Sequence, residues 1–172
     1  SAYDLSKRRS NLSILPPYDG KAFSSFVETI YNMHGYIEHC REEYVLISQG
    51  NVITNIDYTD VFDFHSKKKA DITLIYKNHA IPQGYDRPIT LDVDNDGKVY
   101  QIFVKPGVVD KGVFNHAYGS ILIKKDLLMS EIRNAISVNQ LDVRRLIQSS
   151  LGKYSIYAYE NKGYCAAISS IN

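Results

Sequence analysis

The chain carries 172 residues, 44% hydrophobic and 23% charged, with a formal net charge of +1, enough for one globular domain that buries roughly 70% of its unfolded surface. That balance gives no ground for a nucleic-acid partner, and no apolar run nears the ~18 residues that a membrane span needs. The two cysteines, Cys40 and Cys165, are too few for a disulfide scaffold and lack metal-ligand spacing, so a soluble protein of a reducing cytoplasm is expected.

The opening is basic and polar (Ser6-Lys7-Arg8-Arg9-Ser10-Asn11). Phe26, Ile30, Met33 and Ile37 then recur at helical spacing, which predicts a core-facing helix over residues 22–40. Tyr44-Val45-Leu46-Ile47-Ser48 is a short apolar run suited to a strand covered on both faces, and Gln49-Gly50-Asn51 breaks it with turn chemistry. Ligands in open α/β sheets gather at strand ends of this kind. Asp57 supplies a cap for a helix through about Lys68, with Val61, Phe62, Phe64 and His65 toward one side. Lys67-Lys68-Lys69 at its end match the helix dipole better than a nucleic-acid patch. Asp71-Ile72-Thr73-Leu74-Ile75-Tyr76 returns as a β-branched strand, and strand, helix and strand in that order predict a right-handed parallel crossover.

Farther along, Asp94-Asn95-Asp96-Gly97 turns the chain between Ile89-Thr90-Leu91-Asp92-Val93 and Lys98-Val99-Tyr100-Gln101-Ile102, which predicts a hairpin. Asp92, Asp94, Asp96 and Gly97 match the opening of a calcium loop, but Phe103 stands where a bidentate Glu is required and the flanks read as strands. Residues 112–125 form a long strand pattern, after which Asp126 is placed to cap a helix through about Ser137 that buries Leu127, Leu128, Ile132 and Ile136. A second helix is expected near residues 141–150, with Gly152 as its stop, followed by the alternating strand Tyr154-Ser155-Ile156-Tyr157-Ala158-Tyr159. With no repeat, low-complexity tract or linker, one α/β domain is the economical reading.

Several words in this order resemble the bacterial glucose-1-phosphate adenylyltransferase family of sugar-nucleotide pyrophosphorylases: Leu46-Ile47-Ser48-Gln49-Gly50-Asn51-Val52, Ile56-Asp57-Tyr58, His65, and Ala70-Asp71-Ile72-Thr73. Phe103-Val104-Lys105-Pro106 sits where that family has Phe-x-Glu-Lys-Pro, and His116-Ala117-Tyr118-Gly119-Ser120-Ile121 where it has Ala-Ser-Met-Gly-Ile-Tyr. Gly163-Tyr164-Cys165-Ala166-Ala167-Ile168-Ser169-Ser170 is similar to Gly-Tyr-Trp-x-Asp-Val-Gly-Thr. The departures fall on chemical residues, and together with Leu15-Pro16-Pro17-Tyr18 they make the D-type branch, regarded as a regulatory partner of the catalytic subunit in glycogen synthesis, the nearest likeness.

The resemblance implies a partial Rossmann-like nucleotidyltransferase domain with a mixed, mainly parallel sheet. Its catalytic relatives hold magnesium on two Asp residues whose positions here are Asn51 and Ala167. Magnesium demands near-octahedral oxygen ligands, usually one or two carboxylates plus phosphates. Losing several kcal/mol of phosphoryl charge stabilisation costs roughly a thousandfold in rate. Val104 replaces the Glu and Ala117 the Ser of the sugar-phosphate words, leaving Lys105 as a phosphate partner and Gly119 as a vestige of the substrate site. Ser25-Phe26-Val27-Glu28-Thr29 stands where the relatives have the substrate-binding Gly-Thr-Ala-Asp-Ala. On the residues alone, Asn51 reads as a turn residue, Lys105 as a solvated strand-end lysine, and Gly119 as a glycine giving close backbone approach.

With no initial Met, no Gly-rich phosphate loop and no β-helix, the chain is expected to be the later part of the nucleotidyltransferase domain, with the strand at residues 44–48 left as an edge open to self-association. The favoured expectation is a catalytically degenerate regulatory subunit of ADP-glucose synthesis. It would contact a catalytic glucose-1-phosphate adenylyltransferase subunit in a homo- or hetero-oligomer, hold a phosphorylated sugar or nucleotide weakly, and need no cofactor of its own. Its rival is an active enzyme joining ATP and glucose 1-phosphate, with Asp57 as the missing acid instead of a helix cap. A free-standing sugar-binding module is a third class.

Overall fold

Ser25 opens the described part of the chain with a capping box: its hydroxyl accepts from Glu28 N–H at 3.2 Å, while the Glu28 carboxylate accepts from Ser25 N–H at 2.8 Å. In the computed structural model, residues 25–48, 52–80, 89–104 and 112–167 are described. The capped helix α1 (Phe26–Asn32) stops at Met33, and α2 (His34–His39) starts afresh. One helix was expected here. Met33 leaves helical backbone geometry at φ −89°, ψ 3°, and His34-Gly35 then follows with weak helix formers. Phe26 and Ile30 nevertheless pack on the core, and Ile37 is buried, as their spacing requires.

β1 (Tyr44–Ile47) turns Val45 and Ile47 toward the main core; on its other face Tyr44 packs against Val61 and edge-on to the Phe62 and His65 rings, while Leu46 is 40% exposed, so that second face is covered in part. β2 (Val52–Thr54) follows, then α3 (Tyr58–Lys68), which Asp57 caps by accepting from Thr59 N–H at 2.8 Å. β3 (Ile72–Ala80), β4 (Ile89–Val93) and β5 (Val99–Val104) come next, the last two as the expected hairpin. β6 (Val113–Lys124) runs directly into α4 (Lys125–Ser137), with Asp126 in the first turn and Lys124, not Asp126, at the cap position. α5 (Val143–Ser150) is capped by Asp142 and followed by Gly152 at φ +87°, and β7 (Ile156–Glu160) and β8 (Cys165–Ala167) complete the order.

The main sheet has six strands, in the order β5-β4-β6-β3-β7 with β1 also on β6, and β2 and β8 form a separate ribbon. The fold is α/β with a mixed sheet, but its balance is mostly antiparallel: among the strands of the described residues only β3 and β7 pair in parallel. Both β1 and β3 run antiparallel to β6, so they are parallel to each other with β6 inserted between them. The expected strand-helix-strand unit is therefore present without its two strands being neighbours. β6, twelve residues long, is what fills the gap.

One face of this sheet packs under α1, α4 and α5 through Val27, Leu74, Ile121, Ile132 and Ile147. Opposite, α3 sets Val61 on Ile75 and Leu122. The hairpin tip reaches back to β7: Gly97 C=O accepts from Ala158 N–H at 2.8 Å, and Lys98 bridges Tyr157. Asp94 accepts from Asp96 N–H and Lys98 N–H at 2.8 and 2.9 Å, and Asp96 pairs with Lys68, whose ammonium also lies over the Phe64 and Tyr157 rings. The acids of the calcium-like word thus serve a turn and an ion pair.

Gly97 sits at φ +83°, and a Cβ there would lie 3.2 Å from both Ala158 O and Phe64 Cζ. Gly97→Ala is expected to cost about 1–3 kcal/mol from the left-handed backbone and the tight contact. Urea unfolding checks this, and an unchanged midpoint would contradict the hairpin-to-β7 contact.

Candidate functional site

Alternation along two neighbouring strands marks a place where the sheet stops being a core. On β3, Thr73 and Ile75 lie under α3, and the same face continues with Lys77 and His79. On β6, Leu122 lies under α3, and Ser120, Tyr118 and His116 continue that face. The register joins Lys77 to His116 and Tyr76 to Ala117, then shifts: β6 takes four residues from Ala117 to Ile121 where β3 takes two from Tyr76 to Leu74. Gly119, at φ +75°, lies in that bulge. This is a more specific reason for the glycine than close backbone approach.

The polar side chains are densely connected. Tyr118 OH bonds His79 Nε2 and the two rings stack at 5.4 Å, while His116 lies 4.8 Å from the Tyr118 ring. Burial, and then the charge of His79, push His116 down to about 4, so it is neutral at physiological pH. Lys77 Nζ donates to Gly163 C=O in the segment leading into β8. Burial raises the Cys165 thiol, with Tyr118 and Lys77 acting in the opposite sense. At the end of β1, the Ser48 and Ser120 hydroxyls meet at 3.2 Å. Lysine, imidazole, phenol and serine hydroxyl groups thus share one face of the two strands, where His116, Tyr118 and Ser120 are buried and Lys77 and His79 are held by protein partners.

Thr90 pairs with both Phe103 and His116, and Ile89 pairs with both Val104 and Ala117, which places β4 between the end of β5 and β6. Val104 is half-buried, and Ala117 is buried in the main core, on the opposite face from His116 and Tyr118. Asn51 and Lys105 lie outside the described residues. The Ala167 backbone pairs with that of Val52, the residue bonded to Asn51, so the fold brings the two segments carrying the expected metal positions together. The described residues of this ribbon, Val52, Ile53, Thr54, Cys165, Ala166 and Ala167, include no carboxylate and do not fit a magnesium ion. Asp57 is a helix cap. His65, on the sheet-facing side of α3, is a core residue whose Nδ1 meets Thr73 Oγ1 at 2.7 Å.

Sequence reading missed Lys77, His79 and Tyr118, although polar residues at every second position in two apolar strands were a usable signal. The capping box Ser-x-x-Glu at the start of α1 was also legible and was not read.

No family model matches the chain. It is similar to the curated glucose-1-phosphate adenylyltransferase of Clostridium acetobutylicum, 26% identical over 181 residues that cover 99% of this chain and 46% of that protein. The Bacillus subtilis protein of the same name is 26% identical over 185 residues, with the same coverage of both chains. That of Geobacillus stearothermophilus is 35% identical over 78 residues, 43% of this chain and 20% of that protein. The chain thus spans less than half the length of these relatives. Among the described residues, no helix is long and apolar enough to cross a membrane.

Proposed function

We propose that the chain is the later portion of a nucleotidyltransferase domain whose metal site is lost and which serves ADP-glucose synthesis as a regulatory subunit of a catalytic glucose-1-phosphate adenylyltransferase. The observation that carries this reading is the pairing of Val52 with Ala167: the segments expected to supply two metal-binding carboxylates meet, and Asn51 and Ala167 stand at those positions. An Asn carbonyl is a neutral ligand and an Ala side chain supplies none, so phosphoryl charge would go without its usual metal stabilisation. The end-to-end similarity to proteins named glucose-1-phosphate adenylyltransferase supports the pathway.

On this reading Lys77, His79 and Tyr118, with Lys105 and Gly119 of the sequence words, retain weak affinity for a phosphorylated sugar without turning it over. Mixing the natural polypeptide that carries this chain with the catalytic subunit of the same organism tests the regulatory part. The expected result is a changed rate or effector response of ADP-glucose synthesis; identical kinetics with and without it would sink the proposal.

A second reading, an active adenylyltransferase, is favoured by the names of the curated relatives. It needs an acid from elsewhere. Asp57 is engaged as the α3 cap, so this reading requires Asp57→Asn to abolish a measurable basal synthesis.

A further inference from the structure

We propose that the cavity between α3, the tip of the β4–β5 hairpin and the segment after β7 binds an uncharged saccharide, either a free monosaccharide or the end of a glucan chain. This goes beyond the regulatory reading and does not depend on it. The cavity encloses about 630 Å³, within the range of small-molecule sites, and its wall includes Asn55, Asp57, Phe64, Tyr159, Glu160 and Asn161. None of Lys77, His79, His116 and Tyr118 lines it, so it is separate from the polar face of β3 and β6. The fold holds its walls tightly: Gly97 C=O bonds Ala158 N–H, and a Cβ on Gly163 would lie 2.2 Å from Asn55 O.

Asn161 points to an occupant. It is 3% exposed, and its Oδ1 accepts from Gly163 N–H at 2.9 Å, while its Nδ2 has no hydrogen-bond partner among the described residues. A buried amide donor left unpaired is rare and unfavourable, and what satisfies it is an oxygen acceptor. An organic cation brings none. An anion brings one but meets Asp57, Asp96 and Glu160, against which stand only Lys68, already paired with Asp96, and Lys162. A hydroxyl accepts and donates, so it serves the Asn161 amide and the carboxylates together without bringing a charge. Phe64 and Tyr159, whose rings meet edge-on at 5.5 Å, add apolar surface on which the C–H face of a sugar ring packs. Amides, carboxylates and aromatic rings on one wall are the set that a polyhydroxylated ring requires.

Amide NMR of the chain titrated with glucose and with maltotriose, beside glycerol at equal hydroxyl concentration, tests the proposal. The expected result is a saturable shift at residues 55–57, 95–97 and 159–163 with a saccharide and none with glycerol. Asn161→Asp keeps an oxygen to accept from Gly163 N–H and removes the donor, and should weaken binding about tenfold or more. Asn55→Ala, an exposed change on the same wall, should weaken it about threefold or more. Unaltered β3 and β6 resonances establish that each variant is folded. Tighter binding of maltotriose than of glucose makes the occupant a chain end, and equal or weaker binding makes it the monosaccharide. The proposal is overturned by the lack of a saturable response to either sugar, by an equal response to glycerol, or by saccharide binding that both variants leave unchanged.

Discussion

Lowering the pH from about 6.5 to about 4 costs the folded chain about 3 kcal/mol, most of it at His116. That side chain is 0% exposed, and its titration is displaced from the ordinary 6.5 to about 4 by burial and by His79. Between those values the unfolded state binds a proton that the folded state refuses, so stability is full above pH 6.5 and is lost as pH falls toward 4, at about 1.4 kcal/mol per pH unit. His65, also lowered by burial, acts with the same sign. Asp142, whose ordinary value is 3.8 and whose folded value is lower, adds stability that is lost only at more acid pH, outside this window. Urea unfolding at pH 7 and pH 4.5 should show the loss in the wild type and a smaller one in His116→Phe. Equal pH slopes in both would remove His116 from the account.

Ile132→Ala should destabilise the chain by about 2–5 kcal/mol at any pH, the range for truncating a large aliphatic side chain in a packed core. Ile132 is 0% exposed at the middle of α4, where the helix is held against β6, β1 and α1. Burial there is shared with Leu128, Met129 and Ala135, so the surroundings are already close-packed and cannot collapse to fill the space. α4 is also pinned by Tyr154, whose hydroxyl donates to Glu131 at 2.6 Å and is pushed up to about 12 by that bond. A loss below about 1 kcal/mol, well under that range, would mean the helix layer is not the main core.

The elements that were readable from sequence are those decided by neighbours in the chain. Asp57 as a cap, the hairpin at Asp94-Asn95-Asp96-Gly97, and the buried stripe of α4 each rest on local geometry and hold in the structure. Pairing between distant strands was not readable. Nothing local in residues 113–124 says that they will enter between β1 and β3, and that insertion changes a mainly parallel expectation into a mostly antiparallel sheet. The break at Met33 was missed because apolar spacing continues across it. At the candidate site, Gly119 and Ala167 were singled out through a resemblance, whereas Lys77 and His79 belong to the polar face only because β3 outruns the cover of α3.

The sheet carries a polar face beside a ribbon whose described residues include no carboxylate. Anion binding and phosphoryl transfer make different demands: donors suffice for the first, whereas the second needs charge neutralisation in the transition state.

The central claim is that this chain's metal site is lost. The most direct measurement is magnesium-dependent ADP-glucose synthesis by the natural polypeptide alone, beside its Asn51→Asp, Ala167→Asp double variant. The account predicts a wild-type rate roughly a thousandfold or more below that of the catalytic subunit, with any gain confined to the double variant. Robust turnover by the wild type would contradict it.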